Sequence, residues 1–374
     1  MANASTGITR RRLLQAVGLA GVAAWTPLGA WANPSGRKLG VALVGLGGYS
    51  SNLLAPALEL TKHCKLTGIV TGSPGKVGEW QQKYGIPDAN VYDYENMHRM
   101  ADNPDIDVVY VVTPTHRHAP LSIKGAEAGK HVWCEKPMAM DAAEAEAMIR
   151  ASEANRVRLA IGYRMQHEPN TRRFMAMATE RPYGRILRVE AEAGYNGYRD
   201  GPTDVWRLDA ERGGGAMYDM GVYALNAARY CTAMEPLTVS AVQSNTRPEI
   251  FNEVDETMRF KLEFPEGIVA DCATSFGENM NRLRVEGADG WYRMAPMQSY
   301  DGNQGEASDG TVFTPQLGKR PRMQAEQMDQ DALAIISGSP IRAPGEEGLR
   351  DMRVIDAIFA SARDGGARVS VPQG

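Results

Sequence analysis

The chain has 374 residues, 43% of them hydrophobic, and its 41 basic and 45 acidic side chains give a net charge of −4. This length predicts about two domains, and the composition supports a sizeable core and excludes a disordered chain. The slight acidity excludes a general nucleic-acid binder, and the four scattered cysteines exclude a disulfide framework or a zinc finger.

The first 32 residues differ from the rest, because they hold three consecutive arginines from Arg10 and no acidic residue. An apolar run over Ala16–Leu28 and small residues at Ala30 and Ala32 follow, in the order of a secretory signal peptide. The run is too short to span a membrane. The arginine pair favours the twin-arginine pathway over an ordinary secretory signal or a basic tail. We therefore predict export to a bacterial periplasm, no stable membrane insertion, and a mature charge of −7.

Strand-like and helix-like segments then alternate. Short, nearly all-apolar runs predict buried strands over Lys38–Val44, Lys65–Val70, Ile106–Val112, His131–Cys134 and Arg158–Gly162. Helices are predicted between them over Leu53–Leu60, Lys76–Tyr84, Ala119–Ala128 and Asp141–Ala154. This alternation predicts a doubly wound parallel sheet, in a Rossmann dinucleotide-binding domain over residues 33–162.

The pattern changes near Ile186. Polar and apolar residues now alternate in strand-like segments over Ile186–Ala193, Leu237–Ser244, Glu256–Phe264, Ile268–Ser275 and Asn281–Glu286. Helices are predicted over Gly215–Tyr230, Gln324–Ser337 and Glu346–Ala362, and a polar surface loop over Asp301–Lys319. We expect an α+β domain over residues 163–374 with a large, mostly antiparallel sheet. Its open face is expected to form a homodimer, and the C-terminal helices can return to the first domain.

A glycine-rich turn joins the first predicted strand to the first helix. It reads Gly45-Leu46-Gly47-Gly48-Tyr49-Ser50. Gly45 permits the tight turn, and Gly47 lets the backbone approach a pyrophosphate at the start of the helix. Ser50 stands where the dinucleotide fingerprint has its third glycine, so a plain glycine turn is the alternative. The strand–turn–helix context favours a dinucleotide.

The end of the second predicted strand selects the dinucleotide. Enzymes that use NAD place an acidic residue there to bind the ribose 2′-hydroxyl. Here the chain reads Thr71-Gly72-Ser73-Pro-Gly-Lys76, without an acidic residue before Glu79. Hydroxyls and a lysine suit a 2′-phosphate, so we predict NADP. The alternative is a polar loop with an incidental lysine.

Three further segments carry chemically useful residues at the ends of predicted elements. Two of them end buried strands, where doubly wound folds bind ligands: Thr113-Pro114-Thr-His-Arg-His118 and Gly129-Lys-His-Val-Trp-Cys-Glu135-Lys136-Pro137. The third begins with three glycines at Gly213 and continues to Asp219 and Tyr223. Because these two residues are four apart, they share one face of a predicted helix.

Together these motifs resemble the Gfo/Idh/MocA oxidoreductases. Further stretches resemble the family's glucose–fructose oxidoreductase branch over residues 38–370: Gly162-Tyr-Arg164, Glu168-Pro, Trp206-Arg-Leu208, Pro344-Gly-Glu-Glu-Gly348, and Tyr223 where most members have histidine. The resemblance implies that Lys136 is the catalytic lysine, with Asp219 and Tyr223 as its partners. It also places other residues near the dinucleotide or substrate: Tyr49, Tyr94, His118, Glu135, Arg164, Trp206, Arg207 and Tyr300.

These residues suit the oxidation of a sugar alcohol. A base must take the hydroxyl proton as hydride leaves the carbon, and a lysine ammonium beside a tyrosine favours the tyrosinate. We expect Tyr223 to be the acid/base and Lys136 its electrostatic partner and substrate anchor. Asp219 is expected to bind a sugar hydroxyl. No metal is expected.

Export and the resemblance together predict the reaction cycle. An exported enzyme that released NADP would lose it, so we expect NADP to stay bound. One aldose then leaves as a lactone and a second sugar, aldose or ketose, leaves as an alditol by ping-pong chemistry. The alternatives are a single-substrate NADP-dependent dehydrogenase, an NAD-assisted glycosidase and a non-enzymatic NADP sensor.

The branch also has a long N-terminal arm that covers the adenine and aids assembly. Here only Asn33–Arg37 separates the predicted cleavage site from the first strand. Retention of NADP is therefore expected to rest on direct contacts from Thr71, Ser73, Lys76 and Arg207, and a dimer is expected rather than a tetramer.

Overall fold

The computed structural model describes residues 36–198 and 205–373. The predicted signal peptide and its twin-arginine motif lie outside the described residues. Two sheets organise the described chain, one of six strands and one of nine. This arrangement confirms the predicted fold class, a Rossmann sheet followed by a mostly antiparallel sheet.

The first sheet is parallel and buried on both faces. Its strands are β1 (Leu39–Val44), β2 (Cys64–Val70), β3 (Val91–Tyr92), β4 (Val108–Val111), β5 (His131–Cys134) and β6 (Leu159–Ile161). The helices that connect them are α1 (Ala55–Leu58), α2 (Val77–Tyr84), α3 (His118–Glu127) and α4 (Ala142–Ala154). The strand order is β3-β2-β1-β4-β5-β6, the doubly wound order in which ligands bind where it reverses, between β1 and β4.

The second half of the chain builds a mixed sheet with helices on one face. Its first strands and helices are α5 (Pro169–Glu180), β7 (Ile186–Gly194), α6 (Val222–Thr232), β8 (Thr238–Ser244), β9 (Thr257–Glu263), β10 (Val269–Ser275) and β11 (Met280–Gly287). The later ones are β12 (Gly290–Met294), β13 (Gly305–Ala307), β14 (Val312–Phe313), α7 (Arg322–Ser337), α8 (Gly345–Arg363) and β15 (Val369–Ser370). The strand order is β14-β13-β12-β11-β7-β10-β9-β8-β15, and among its described strands only β7 and β10 pair in parallel.

The structure corrects several predicted elements. The segment Asp301–Lys319 is not only a loop, because β13 and β14 lie within it and extend the second sheet. Sequence reasoning missed α5 and β12, and it also missed the two-residue strands β3 and β15. The predicted helices at 53–60 and 215–230 each begin with a π-helical turn, Ser50–Leu54 and Met217–Gly221.

The helix α7 links the two halves of the molecule. It follows β14 of the second sheet in the chain, yet it packs against the first sheet, where Ala325, Met328 and Ile335 join the same core as Leu43 and Tyr110. One face of the first sheet is therefore completed only by the C-terminal part of the chain. Within residues 36–198 and 205–373, no helix has the length and apolar character needed to cross a membrane.

Candidate active site

The strand register gathers the predicted site segments at one edge of the first sheet. Val44 at the end of β1 pairs with Val70 of β2 and with Val111 of β4, which in turn pairs with Cys134 of β5. The glycine-rich turn, Thr71 and Glu135 follow these strand ends directly, and Thr113 comes two residues after the end of β4. Since the sheet is parallel, all four segments emerge side by side.

The glycine-rich turn fits a dinucleotide phosphate. Gly45 has φ +101°, and a Cβ there would lie 2.7 Å from the carbonyl oxygen of Val112, so a side chain is excluded. A Cβ at Gly47 would meet only open space. Ser50, in the place of the third glycine, is fully buried and donates its hydroxyl to the carbonyl of Gly45 at 2.6 Å. The serine thus closes the turn and leaves the Gly47 side free for a ligand.

A second feature also points to an absent ligand. The hydroxyl of Thr113, after β4, is buried and has no hydrogen-bond partner in the protein. A buried polar atom without a partner is costly, so such atoms commonly bind a ligand or water. The residues at this edge therefore fit a dinucleotide.

The segment after β2 forms the other end of the candidate dinucleotide site. Lys76 donates to the carbonyl of Leu46 at 2.8 Å, which brings its ammonium beside the glycine-rich turn. The backbone N–H of Ser73 donates to the hydroxyl of Thr71 at 3.0 Å. A Cβ at Gly72 would lie 2.8 Å from the ring of Tyr94, so the ring packs on this segment. Two hydroxyls, a cation and an aromatic ring therefore lie together there.

His118 has contacts that tie two site loops together. Its Nδ1 lies 2.7 Å from the carbonyl of Pro137, and its Nε2 lies 2.8 Å from the carbonyl of Thr113. Burial lowers the pKa of the ring to about 4, so the ring is neutral and its single N–H donates to one of these two carbonyls. His118 thus contacts the backbone of two loops: the loop after β4, at Thr113 just before Pro114, and the loop after β5, at Pro137.

Glu135 is held by a chain of two hydrogen bonds from Tyr110 and Gln327. Tyr110 donates its hydroxyl to Oε1 of Glu135 at 2.6 Å, and Gln327 of α7 donates to the Tyr110 oxygen at 3.1 Å. Burial raises the pKa of the Glu135 carboxyl, against the effects of Tyr110 and Lys136. Helix α7 thereby helps to fix a residue that the resemblance places at the cofactor.

Lys136 and Asp219 form the centre of the site. The ammonium of Lys136 donates to the carbonyl of Asp219 at 2.6 Å and lies 3.5 Å from its Oδ1. Arg207 donates to Oδ2 of Asp219 at 2.8 Å. Burial raises the pKa of the Asp219 carboxyl, but the two cations outweigh burial and hold it below its ordinary value. Both carboxylate oxygens therefore already have partners within the protein.

Tyr223 lies between two cations. The Lys136 ammonium is 5.0 Å from its ring centre, and Arg164 donates from Nε to its hydroxyl oxygen at 3.2 Å. Burial lowers the pKa of the Lys136 ammonium, but Tyr223, Asp219 and Glu135 outweigh burial and raise the pKa of Lys136 above its ordinary value. The phenol oxygen thus sits in a positive field that stabilises negative charge on it.

Arg164 also orders a loop of the second sheet. It donates from Nη1 to the carbonyl of Ser299 at 3.1 Å and from Nη2 to that of Gln298, and its guanidinium lies 4.6 Å from the ring centre of Tyr300. The ring of Tyr300 lies 6.1 Å from that of Tyr49 in the glycine-rich turn. The predicted residues Arg164, Tyr300 and Tyr49 thus extend the site from Tyr223 to that turn.

Sequence reasoning missed a tyrosine pair beside Asp219. Tyr195 donates to Oδ2 of Asp219 at 3.4 Å, and its oxygen lies 3.0 Å from that of Tyr198. Tyr198 has φ +60°, an uncommon backbone conformation for a bulky residue, and its ring packs on Phe251 and Phe276. A non-glycine residue in this strained region is a structural signal, and no sequence pattern shows it.

The predicted residues thus fall into two groups. Lys136, Asp219, Tyr223, Arg164 and Arg207 meet through direct contacts, and Trp206 joins them because the Arg207 guanidinium lies 4.5 Å from its ring centre. The loop residues from Gly45 to Tyr49, from Thr71 to Lys76, and Tyr94 lie along the dinucleotide edge. The described residues contain no group of three or more His, Cys, Asp or Glu side chains that could hold a metal ion.

Comparisons with known proteins agree with this geometry. The family model for the NAD-binding Rossmann fold of the Gfo/Idh/MocA oxidoreductases matches residues 39–163, and the Gfo/Idh/MocA C-terminal domain model matches residues 171–293. The crystal structure of aldose-aldose oxidoreductase from Caulobacter crescentus, complexed with glycerol, is 37% identical at a TM-score of 0.84. The match covers 89% of this chain and 100% of that one.

Other relatives are dehydrogenases with one or the other dinucleotide. The NADP-dependent D-xylose 1-dehydrogenase of Haloarcula marismortui is 28% identical over 326 residues, 86% of this chain and 90% of its own. Levoglucosan dehydrogenase, solved with NADH and levoglucosan, shares the fold at a TM-score of 0.76 and 23% identity. That match covers 90% of this chain and 100% of that one. The chain belongs to the Gfo/Idh/MocA family and is an oxidoreductase that acts on CH–OH groups of sugars with a nicotinamide dinucleotide.

Proposed function

We propose that this protein is a periplasmic aldose oxidoreductase that keeps NADP bound while it oxidises one sugar and reduces another. The observation that carries the proposal is the contact of Arg164 and Lys136 with Tyr223, beside the dinucleotide edge. Similarity to an aldose-aldose oxidoreductase supports the two-sugar cycle. The leader with its arginine pair supports export of a protein that folds and loads its cofactor first.

The chain's own residues perform the proton transfer. Bound NADP supplies the acceptor, and in the second half the donor, of the hydride. Tyr223 takes the proton of the anomeric hydroxyl as the C1–H bond breaks, and the lactone leaves. Tyr223 then returns that proton to the carbonyl oxygen of the second sugar, so protons balance over the cycle. Lys136 and Arg164 stabilise the charge on the oxygen atoms during both transfers.

Asp219 is proposed to act chiefly by holding Lys136 and Arg207. Both of its oxygens accept hydrogen bonds from these residues or from Tyr195. Oδ1, whose Lys136 contact is 3.5 Å, retains the capacity for a sugar hydroxyl. The predicted role of Asp219 as a sugar ligand is therefore kept for this oxygen only.

NADP is proposed rather than NAD because of the residues after β2. Lys76 lies against the glycine-rich turn with Thr71 and Ser73 beside it, and the segment from 71 to 76 holds no acidic residue. The similarity to an NADP-dependent xylose dehydrogenase supports the same choice. A carboxylate in this place would repel a 2′-phosphate.

The homodimer is proposed to form on the open face of the second sheet. Arg188, Glu190, Asp271 and Arg282 stand there in alternating charge, with Lys261 alongside. A face of mixed charge can pair with a second copy of itself across a two-fold axis.

One experiment separates retention from exchange. The purified protein is incubated with an aldose and a second carbonyl sugar and without added cofactor, and lactone and alditol are measured by mass spectrometry. Sustained, equal formation of both products supports retained NADP. Tyr223→Phe should abolish turnover, whereas Tyr183→Phe, which lies three residues before β7 and packs against Gly287 and Gly290, should not. Protein that is purified without nucleotide and works only with added NADP would instead favour a single-substrate dehydrogenase. This is the second candidate function, and the similarity to the xylose dehydrogenase supports it.

A further inference from the structure

Three consecutive glycines precede Asp219, and the structure explains why one of them, Gly215, must be a glycine. Gly215 has φ +103°, and a Cβ placed on it would lie 2.1 Å from Oδ1 of Asp255. A side chain at position 215 would therefore displace this carboxyl group. The glycine is needed because a buried carboxylate occupies the space beside it.

Asp255 binds the backbone of the π-helical turn that leads into α6. Its Oδ2 accepts the N–H of Met217 at 2.7 Å, and its own carbonyl accepts the N–H of Ala216 at 3.0 Å. Asp255 is only 3% exposed. It satisfies the first donors of the turn, which have no partner within the helix.

A second side chain holds the same turn from the sheet. Thr274, fully buried on β10, donates its hydroxyl to the carbonyl of Ala216 at 3.1 Å. The N–H of Asp219 then bonds to the carbonyl of Gly215 at 3.2 Å. Asp255 and Thr274 thus anchor the segment two to three residues before Asp219, and Tyr223 follows one turn later.

We propose that Asp255 is a positioning residue of the sugar-oxidising site, whose carboxylate fixes the turn that presents Asp219 and Tyr223. It touches neither the dinucleotide edge nor Lys136, and it acts only through the backbone of residues 215–217. The inference rests on the roles proposed for Asp219 and Tyr223. It adds that the charge of a group outside the site controls their placement.

The proposal predicts an acid limb in the pH profile. Burial raises the pKa of the Asp255 carboxyl to about 7, because only backbone N–H groups favour its charged form. Neighbouring titratable groups on the elements packed against it have other partners. The Tyr218 hydroxyl donates to the carbonyl of Met140, Glu256 pairs with Arg247, and Asp219 is held by its two cations.

The sign follows from the hydrogen bonds. Below about pH 7 the carboxyl of Asp255 is protonated and becomes a weaker acceptor for the Met217 N–H. The turn loosens, and kcat for aldose oxidation should fall by up to about tenfold per pH unit, with little change in sugar KM. A group that only stabilised the fold would not titrate with kcat in this way.

The experiment compares pH profiles of kcat at saturating NADP. Asp255→Asn keeps an acceptor oxygen but cannot titrate, so its kcat should change by less than about threefold between about pH 5.5 and 8. Asp102→Asn, at an exposed position of the first half of the chain, should keep the wild-type profile. An Asp255→Asn protein with an unchanged acid limb would overturn the proposal.

Two further measurements keep the test decisive. Thr274→Val removes the other anchor without changing any charge, so it should lower kcat and leave the midpoint of the limb in place. If Asp255→Asn does not fold, the wild type still decides, because a profile without an acid limb near neutral pH rejects the proposal. The Tyr223→Phe variant distinguishes failure of the proposed function from failure of this inference. Full activity of that variant rejects the proposed function itself. If Tyr223→Phe is inactive but Asp255→Asn keeps the acid limb of the wild-type pH profile, only this inference is rejected.

Discussion

Arg164 donates a hydrogen bond from Nε to the hydroxyl oxygen of Tyr223, and its guanidinium lies 4.9 Å from the centre of the same ring. The arginine begins the short helical turn after β6, whereas the tyrosine lies on α6, so the contact joins the segment after the first sheet to a helix of the second half. The remaining nitrogens of Arg164 hold the carbonyls of Gln298 and Ser299. One buried cation therefore orients the proposed acid/base and the loop that carries Tyr300.

Replacing this guanidinium by an ammonium should impair the chemistry. Arg164→Lys keeps the charge but cannot reach Tyr223 and both carbonyls together. Loss of a hydrogen bond to a charged group corresponds to about 10- to 100-fold in kcat. The measurement is the steady-state rate of aldose oxidation, with Arg173→Lys, which alters an exposed pair with Glu180, as the control. A kcat within about twofold of wild type would contradict the proposed role.

Lys76 should discriminate between the two dinucleotides. Lys76→Ala removes the cation proposed to face the 2′-phosphate, so the Kd for NADP should rise about 10- to 100-fold in cofactor-free protein. The Kd for NAD should stay unchanged, since NAD has no phosphate there. Calorimetric titration with each dinucleotide measures both, and Lys65→Ala, exposed on β2, is the control. Equal losses for NAD and NADP would show that Lys76 acts only through its bond to Leu46.

Asp331 on α7 should make stability depend on pH. Burial raises the pKa of its carboxyl to about 8, and its Oδ1 has no hydrogen-bond partner and lies 4.0 Å from Nε2 of His167. The unfolded chain releases this proton near about pH 4. The folded protein binds more protons between these values, so stability falls as pH rises, by at most about 1.4 kcal/mol per pH unit.

The Asp331→Asn variant removes this titration. The free energy of unfolding of this variant, measured with urea, should rise relative to that of the wild type as the pH increases from about 5 to about 8. Burial lowers the pKa of His167 to about 3, and that effect is common to both proteins. Asp102→Asn, on the surface, should run parallel to wild type. Parallel curves for Asp331→Asn as well would mean that the carboxyl does not titrate in this range.

A buried ion cluster should be essential to the junction of α6 and α8. Arg229, whose side chain is 3% exposed, pairs with Asp351 and at 2.9 Å with Glu347. Arg229→Met leaves these acids without their cation, which costs about 3–5 kcal/mol of unfolding free energy. Arg181→Met, which breaks an exposed pair with Glu266, is the matched control and should be nearly neutral in the same urea titration. A small loss at position 229 would show that the acids are satisfied otherwise.

Most of the first half of the fold could be predicted from the sequence. Strands β1, β2, β4, β5 and β6 are short apolar runs, because a parallel strand buried on both faces has no polar side. The strands at the far edge, β13 and β14, were not predicted, since edge strands of two or three residues hold too few side chains to show a period. The helix α5 was missed, although the amphipathic pattern of its sequence is continuous.

The site was predicted in part for the same reason. Gly45, Lys136, Asp219 and Tyr223 stand at strand ends or on one helix turn, where local spacing limits what they can do. Spacing gave no signal for Tyr195 beside Asp219, nor for the support of Glu135 by Tyr110 and Gln327, because these partners are far apart in the chain. Only packing brings them together.

The sequence by itself therefore determined the Rossmann sheet with its glycine-rich turn and the set of reactive side chains. Periodicity and glycine placement are local properties, and they survive folding unchanged. The tertiary structure decided which side chains meet: Arg164 with Tyr223, Arg207 with Asp219, and Asp255 with Gly215. These contacts join segments that are 12 or more residues apart, so their geometry depends on how the chain packs in three dimensions rather than on local spacing.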